Sequence, residues 1–173
     1  GIAASLVLVL AWNQFHPTKK VETTVIGSSL EKGPYVARII KSNDARWTNA
    51  DLGVGDWIPS GSMELEEGSA QIAFDSGASI RIQAPAAILI NSPMHARLEF
   101  GKAIVHIPKV AADFVIESPT AEFHHRESVF GLAVEPSGLT ELHVIEGEVE
   151  LNAKQGDYGS LKLARNNNAQ IGR

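Results

Sequence analysis

Without a single cysteine, the chain has as its reactive side chains six histidines, twenty carboxylates and its serines. Disulfides, thiolate-held zinc, iron–sulfur clusters and thiol nucleophiles are thereby excluded together. The densest cluster is His124-His125 with Glu127, and His95, His106 and His143 fall on other segments. Imidazoles on neighbouring strands with a glutamate close by are what a strand-borne zinc or iron centre uses. Adjacent residues of a strand point to opposite faces, however, so His124 and His125 cannot enter one shell without a bulge. The pattern predicts separate histidines and no metal. Glu148 and Glu150 share a strand face at about 7 Å, a spacing within glycosidase range, and Glu66-Glu67 is a second acidic pair. The alternation of Glu148 and Glu150 with Val149 and Leu151 is equally that of an exposed polar face. Ser128 lies close in sequence to His124, His125 and Glu127, but a nucleophilic triad needs a geometry that strand neighbours do not supply. Gly53-Val-Gly55 and Gly61 lack the Gly-Lys-Ser/Thr continuation and the helix of a phosphate cradle, and read as turns. No catalytic residue, cofactor or metal is therefore expected. Tyr35, Trp47 and Trp57 remain as a candidate ligand or partner surface, since aromatic faces stack on sugars and gather at interfaces; the competing reading of the tryptophans is core or edge packing.

These residues must be positioned by a chain of 173 residues, 44% of them hydrophobic, which suffices for one core-forming domain. Fifteen Lys and Arg against twenty Asp and Glu leave a net charge of -5, which opposes a nucleic-acid partner. From Ile2 to Trp12 the sequence is apolar on every face. A bilayer span takes about 20 such residues, and the chain opens on Gly1, so residues 1–16 are expected to be the C-terminal part of a transmembrane helix continued upstream. Trp12, Phe15 and His16 stand where interfacial anchors belong. A signal peptide is a weaker reading, since Ala11-Trp12-Asn13 is a poor cleavage site; a buried helix is the third. Lys19-Lys20 taken alone would place this flank in the cytoplasm. Residues 17–35 read as a linker.

From Val36 onward, short alternating or β-branched runs are bounded by Gly, Pro, Asn or Asp, which is the pattern of strands. Residues 70–75 and 78–83 form a predicted hairpin about Asp75-Ser-Gly77. Further strands are expected from 86 to 91, 96 to 100, 102 to 108, 113 to 117, 121 to 125, 130 to 135, 140 to 145 and 148 to 152. Turns are expected at Phe100-Gly101-Lys102, Glu117-Ser-Pro-Thr120, Pro136-Ser-Gly138 and Glu146-Gly147-Glu148. The prediction is an all-β domain of many short strands over 36–165, sandwich-like, barrel or β-solenoid, followed by a polar tail over 166–173.

The order of these motifs resembles the FecR domain, in its planctomycete form. Leu52-Gly-Val-Gly-Asp-Trp-Ile-Pro-Ser-Gly61 is similar to the family's opening, and residues 64–82 look like its central hairpin, with Ala84-Pro85-Ala86 where relatives have Gly-Pro-Ala. Leu98 to Pro108 resembles the following strand pair, Phe114-Val-Ile-Glu-Ser-Pro119 its "F-x-V-x-T-P", and Glu141 to Leu151 its "V-x-V-x-E-G-x-V". The likeness spans about Val36 to Leu163. One departure matters: the family's "D-L-G-T-x-F" is here His125-Arg-Glu-Ser-Val-Phe130, with Glu127 in the glycine place and Ser128 in the threonine place. If that glycine occupies a turn of positive φ, Glu127 is strained there or the turn is built differently.

The resemblance implies a single-pass protein of the inner membrane whose β-domain lies in the periplasm. It would relay a signal, without catalysis, to an extracytoplasmic-function sigma factor held by an upstream cytoplasmic part outside this chain. An outer-membrane or envelope protein, or a glycan, would be the input partner. The alternatives are a cell-envelope adhesion or carbohydrate-binding module and a cupin-like metal or carbohydrate-active enzyme.

Overall fold

A buried face that changes phase part-way along a strand decides the architecture. The computed structural model describes residues 35–48, 50–156 and 159–172. Among them ten strands form one hydrogen-bonded system, and the helical element is a 3-10 turn, Lys109–Ala111. The strands are β1 (Tyr35–Trp47), β2 (Trp57–Pro59), β3 (Gly61–Phe74), β4 (Ser79–Ser92), β5 (His95–Ile107), β6 (Val115–Glu117), β7 (Ala121–Val134), β8 (Thr140–Ala153), β9 (Ser160–Ala164) and β10 (Asn168–Ile171). The protein is thus all-β over these residues. Six strands run 13 or 14 residues, far longer than the runs legible in the sequence. Gly101 and Gly147, expected as turns between strands, lie inside β5 and β8.

The reason lies in the period of two. In β7, Ala121, Phe123 and His125 are buried, then Ser128, Phe130, Leu132 and Val134; in β5, Ala96 and Leu98 give way to Ala103, Val105 and Ile107. In β8, Thr140, Leu142 and Val144 are followed by Val149 and Leu151, and in β3 Leu65 is followed by Ala70, Ile72 and Phe74. Odd positions exchange with even ones around Gly101, Glu127, Gly147 and Gly68, each at positive φ. One inserted residue bends the strand and lets both halves present the same side to one core.

The bend in β7 is sharp. Straight, a strand of its 14 residues would hold its ends about 43 Å apart. Yet Thr120, just before β7, places its hydroxyl 2.9 Å from that of Thr140, which pairs with Val134 at the other end. Phe123 and Phe130, on the two halves of the same strand, face each other with ring centroids 6.3 Å apart. β5 and β7 pair directly through residues 101–107 and 128–134, and their other halves are bridged by β6, parallel to β5 and antiparallel to β7. This closes a ring through β5, β6 and β7. The other pairings are antiparallel, which suits a barrel or sandwich rather than stacked solenoid coils.

Polar groups pin the seam. Glu117 of β6 accepts from His95 Nε2 at 2.6 Å and from Lys154 Nζ, and Lys154 also donates to the Ser118 carbonyl at 3.0 Å. Burial alone would raise the Glu117 carboxyl, but these two donors hold it below the ordinary carboxylate range. Beside them the buried Ser118, Thr120 and Thr140 hydroxyls form a cluster in which Thr120 and Thr140 are 2.9 Å apart and Thr140 and Ser118 3.0 Å apart, and the Gly138 carbonyl, 3.1 and 3.2 Å from the two threonine hydroxyls, is a further acceptor for the one proton each carries. The segment expected as a polar tail contains β10, which pairs with β8 from Asn168↔His143 to Ile171↔Thr140. Tyr35, expected in the linker, opens β1. The apolar run of residues 2–12 lies outside the described residues, and among those described no helix is long and apolar enough to cross a membrane.

Two substitutions test the bends. A Cβ on Gly147 would sit 2.3 Å from the Glu127 carbonyl oxygen, so Gly147→Ala is expected to lower the unfolding free energy by about 3 kcal/mol or more. Glu127 is an exposed residue at φ 37°. Glu127→Gly should therefore raise stability by about 0.5–1 kcal/mol, relief of left-handed strain exceeding the added chain entropy. Urea unfolding of the two variants and the parent measures both.

Candidate functional site

Tyr35 and Trp57 meet, and Trp47 does not join them. β2 is the outermost strand beside β1 and sets Trp57 opposite Arg38. The Tyr35 and Trp57 rings are 6.1 Å apart at 49°, and the Arg38 guanidinium sits 5.4 Å over the Trp57 ring. Both aromatics are exposed, at 40% and 49%, and Val54 in the preceding turn is exposed as well. An aromatic pair with a cation over one face suits a flat, partly apolar ligand or a protein partner. Trp47, at the far end of β1, is 7% exposed within the hydrophobic core, its indole N–H buried without a hydrogen-bond partner among the described residues. It contributes packing.

The histidine cluster divides as adjacency on a strand requires. His124 is exposed, 3.6 Å from the Glu122 carboxylate. His125 turns into the core, its ring 5.9 Å from that of Phe130, and neither ring nitrogen makes a hydrogen bond of normal geometry. Burial pushes the imidazole down to about 4, against a weaker opposing interaction with the Phe114 backbone, so the ring is neutral in the folded protein at about pH 7. Ser128, the next inward residue after the bulge, is also buried, with its hydroxyl unpaired among the described residues. Glu148 and Glu150 line a shallow hollow with both histidines, Asn152 and Lys162. Among the described residues no three His, Asp or Glu side chains converge as a metal shell requires.

A larger concavity, which no sequence motif marks, lies on the outer face of the sheet. It is a trough of about 1080 Å³ running from β3 and β4 across β5 and β7 to β8 and β10. Its floor is low because Gly131 and Ala133, on the outward side of β7, carry almost no side chain. Alternation makes these positions outward, but only the lateral register of seven strands, β1 included through Asn43, brings the lining together.

No family profile matches the chain, and no curated protein matches it. Two crystal structures of a candidate anti-sigma factor from Parabacteroides distasonis do share the fold, with TM-scores of 0.54 and 0.55 at 12% and 13% identity. Each match covers 64% of this chain and 54% of the solved one, so the chain spans about half the length of the proteins it matches. At that identity the likeness is one of fold.

The buried histidine makes stability depend on pH. In the unfolded chain His125 titrates near 6.5 and in the folded one near 4. Above 6.5 both states are neutral and nothing is lost; between 6.5 and 4 the unfolded state takes the proton first, and stability falls by about 2–3 kcal/mol. The Glu117 contribution, of the depressed-carboxylate kind, is lost only at lower pH, below its ordinary 4.5. Denaturant midpoints followed from about pH 7.5 down to about pH 4.5 should show the first fall in the parent and lose most of it in His125→Phe.

Proposed function

We propose that this domain is the input module of a sigma-factor regulator: an extracytoplasmic, non-catalytic sensor on a single-pass inner-membrane protein, whose upstream cytoplasmic part engages the sigma factor. The observation that carries this reading is the shared fold with the candidate anti-sigma factor over 64% of the chain. Two features agree with it. The apolar run from Ile2 to Trp12 has the composition of the end of a membrane span, and the motif order resembles the FecR domain. A signal would act by favouring one arrangement of the β-domain over another, because a ligand with equal affinity for both shifts nothing. The exposed Tyr35–Trp57 pair under Arg38 favours a second reading, an adhesion or carbohydrate-binding module of the cell envelope.

Crosslinked capture of the full-length parent from native membranes, followed by mass spectrometry, separates the two. The sigma-factor reading expects an extracytoplasmic-function sigma factor among the crosslinked partners. Recovery of envelope proteins or glycans alone, with efficient crosslinking and a verified cytoplasmic N-terminus, would sink it. The second reading expects oligosaccharides to shift Trp57 fluorescence, and Trp57→Ala to abolish the shift.

A further inference from the structure

We propose that the trough on the outer sheet face binds an extended acidic peptide segment carrying one apolar side chain. Lateral pairing defines its rows. Gln71, Arg81, Ile104, Gly131, His143 and Asn168 stand opposite one another in succession from β3 to β10. The next row sets Gln83, Lys102, Ala133, Glu141 and Gln170 side by side.

The two ends of these rows differ in chemistry. On the β8 and β10 side, Gln170 Nε2 donates to Glu141 Oε1 at 2.8 Å, which leaves that carboxylate its negative charge, and His143 Nδ1 lies 2.8 Å from Asn168 Oδ1, so an acidic occupant is held at the opposite end. On the β4 and β5 side, Arg81 and Lys102 are exposed and have no carboxylate partner among the described residues. Lys41, opposite Gln71, and Arg38 extend the same positive face along β1, and the outward β3 residues beside them, Ser69, Gln71 and Ala73, bring no acid. In a chain of net charge -5 this is a local reversal of sign. Ile104, between Arg81 and Gly131, is 47% exposed, an apolar step in the middle of a polar floor.

Shape and chemistry select the occupant. A trough does not conform to a flat bilayer. Its lining holds no Trp, Tyr or Phe ring on which a pyranose would stack, so an acidic glycan is disfavoured. Carboxylates fit the two cations, an aliphatic side chain fits Ile104, and Gly131 with Ala133 leaves room for the backbone. From β4 to β8 the floor spans about three strand spacings, roughly 14 Å, or about four to five extended residues. This site stands on geometry alone and holds whether or not the parent protein engages a sigma factor.

Fluorescence anisotropy tests it with the full chain in mild detergent and a labelled hexapeptide of glutamates around a central leucine. Saturable binding is expected, weakening steeply with salt. Arg81→Glu with Lys102→Glu should weaken it at least about tenfold, whereas Lys162→Glu on β9 should leave it unchanged. Ile104→Ser lies on the surface and spares the core; it should erase the preference for the leucine peptide over its alanine counterpart. Absence of saturable binding, equal loss in the Lys162 variant, or tighter binding of oligogalacturonate than of the peptide would overturn the proposal. Self-association of the chain that disappears on Arg81→Glu would overturn it too, assigning the face to a second copy.

Discussion

A strand has two sides and a period of two, so a strand long enough to serve two layers meets a conflict where it bends. Without an extra residue, the half beyond the bend would present its polar side to the core. The chain resolves this around Gly68, Gly101, Glu127 and Gly147 with the same device, a residue at positive φ where the alternation shifts by one. The rest of the architecture follows from those four positions. They let Phe123 and Phe130 face each other from one strand, bring the two ends of β7 together at Thr120 and Thr140, and leave the outward residues of the pairing halves as a continuous face.

The bends are coupled in neighbouring strands. A side chain at Gly68 would meet the carbonyls of Asn43 and Asp44 at 2.3 Å, and one at Gly147 would meet that of Glu127 at the same distance. Asp44 and Glu127 are themselves at positive φ, so each of these kinks lies against a kink of the adjacent strand, and close backbone approach is a property of the pair. Glu127 can hold a left-handed conformation because its partner Gly147 supplies the room and its own exposed side chain needs none from the core.

The all-β class and the boundaries of individual runs are legible, because Gly, Pro and Asp punctuate alternating segments. A glycine between two apolar runs looks alike whether the chain reverses or only kinks, which is why Gly101 and Gly147 read as turns although they sit within strands. The distinguishing signal is the exchange of apolar parity across each glycine. The FecR-like motif order marks Glu127 as a departure but leaves open whether it is strained or the turn is rebuilt; the structure holds it at φ 37°. That residues 113–117 hold a strand is legible as well, but the role of β6 as a bridge parallel to β5 is not, since three paired residues leave no trace of their partner. The trough is hidden for the same reason, because it depends on register across strands distant in sequence. Tyr35 and Trp57 share an exposed surface, whereas residue type alone does not reveal that Trp47 is enclosed.

The seam at β6 also sets an order of events during synthesis. The β3–β4 and β4–β5 hairpins have partners close in sequence and can form as soon as they emerge. Closure of the ring must wait for β7, and the clamp on Glu117 waits for Lys154, which follows β8. Until then the apolar side of the first hairpins, with Ile88, Ile90 and Leu98, lacks the strands that complete its cover. The nascent chain thus carries an open sheet until β7 and β8 have been made, and that interval is when it is most exposed to aggregation or to a holding chaperone.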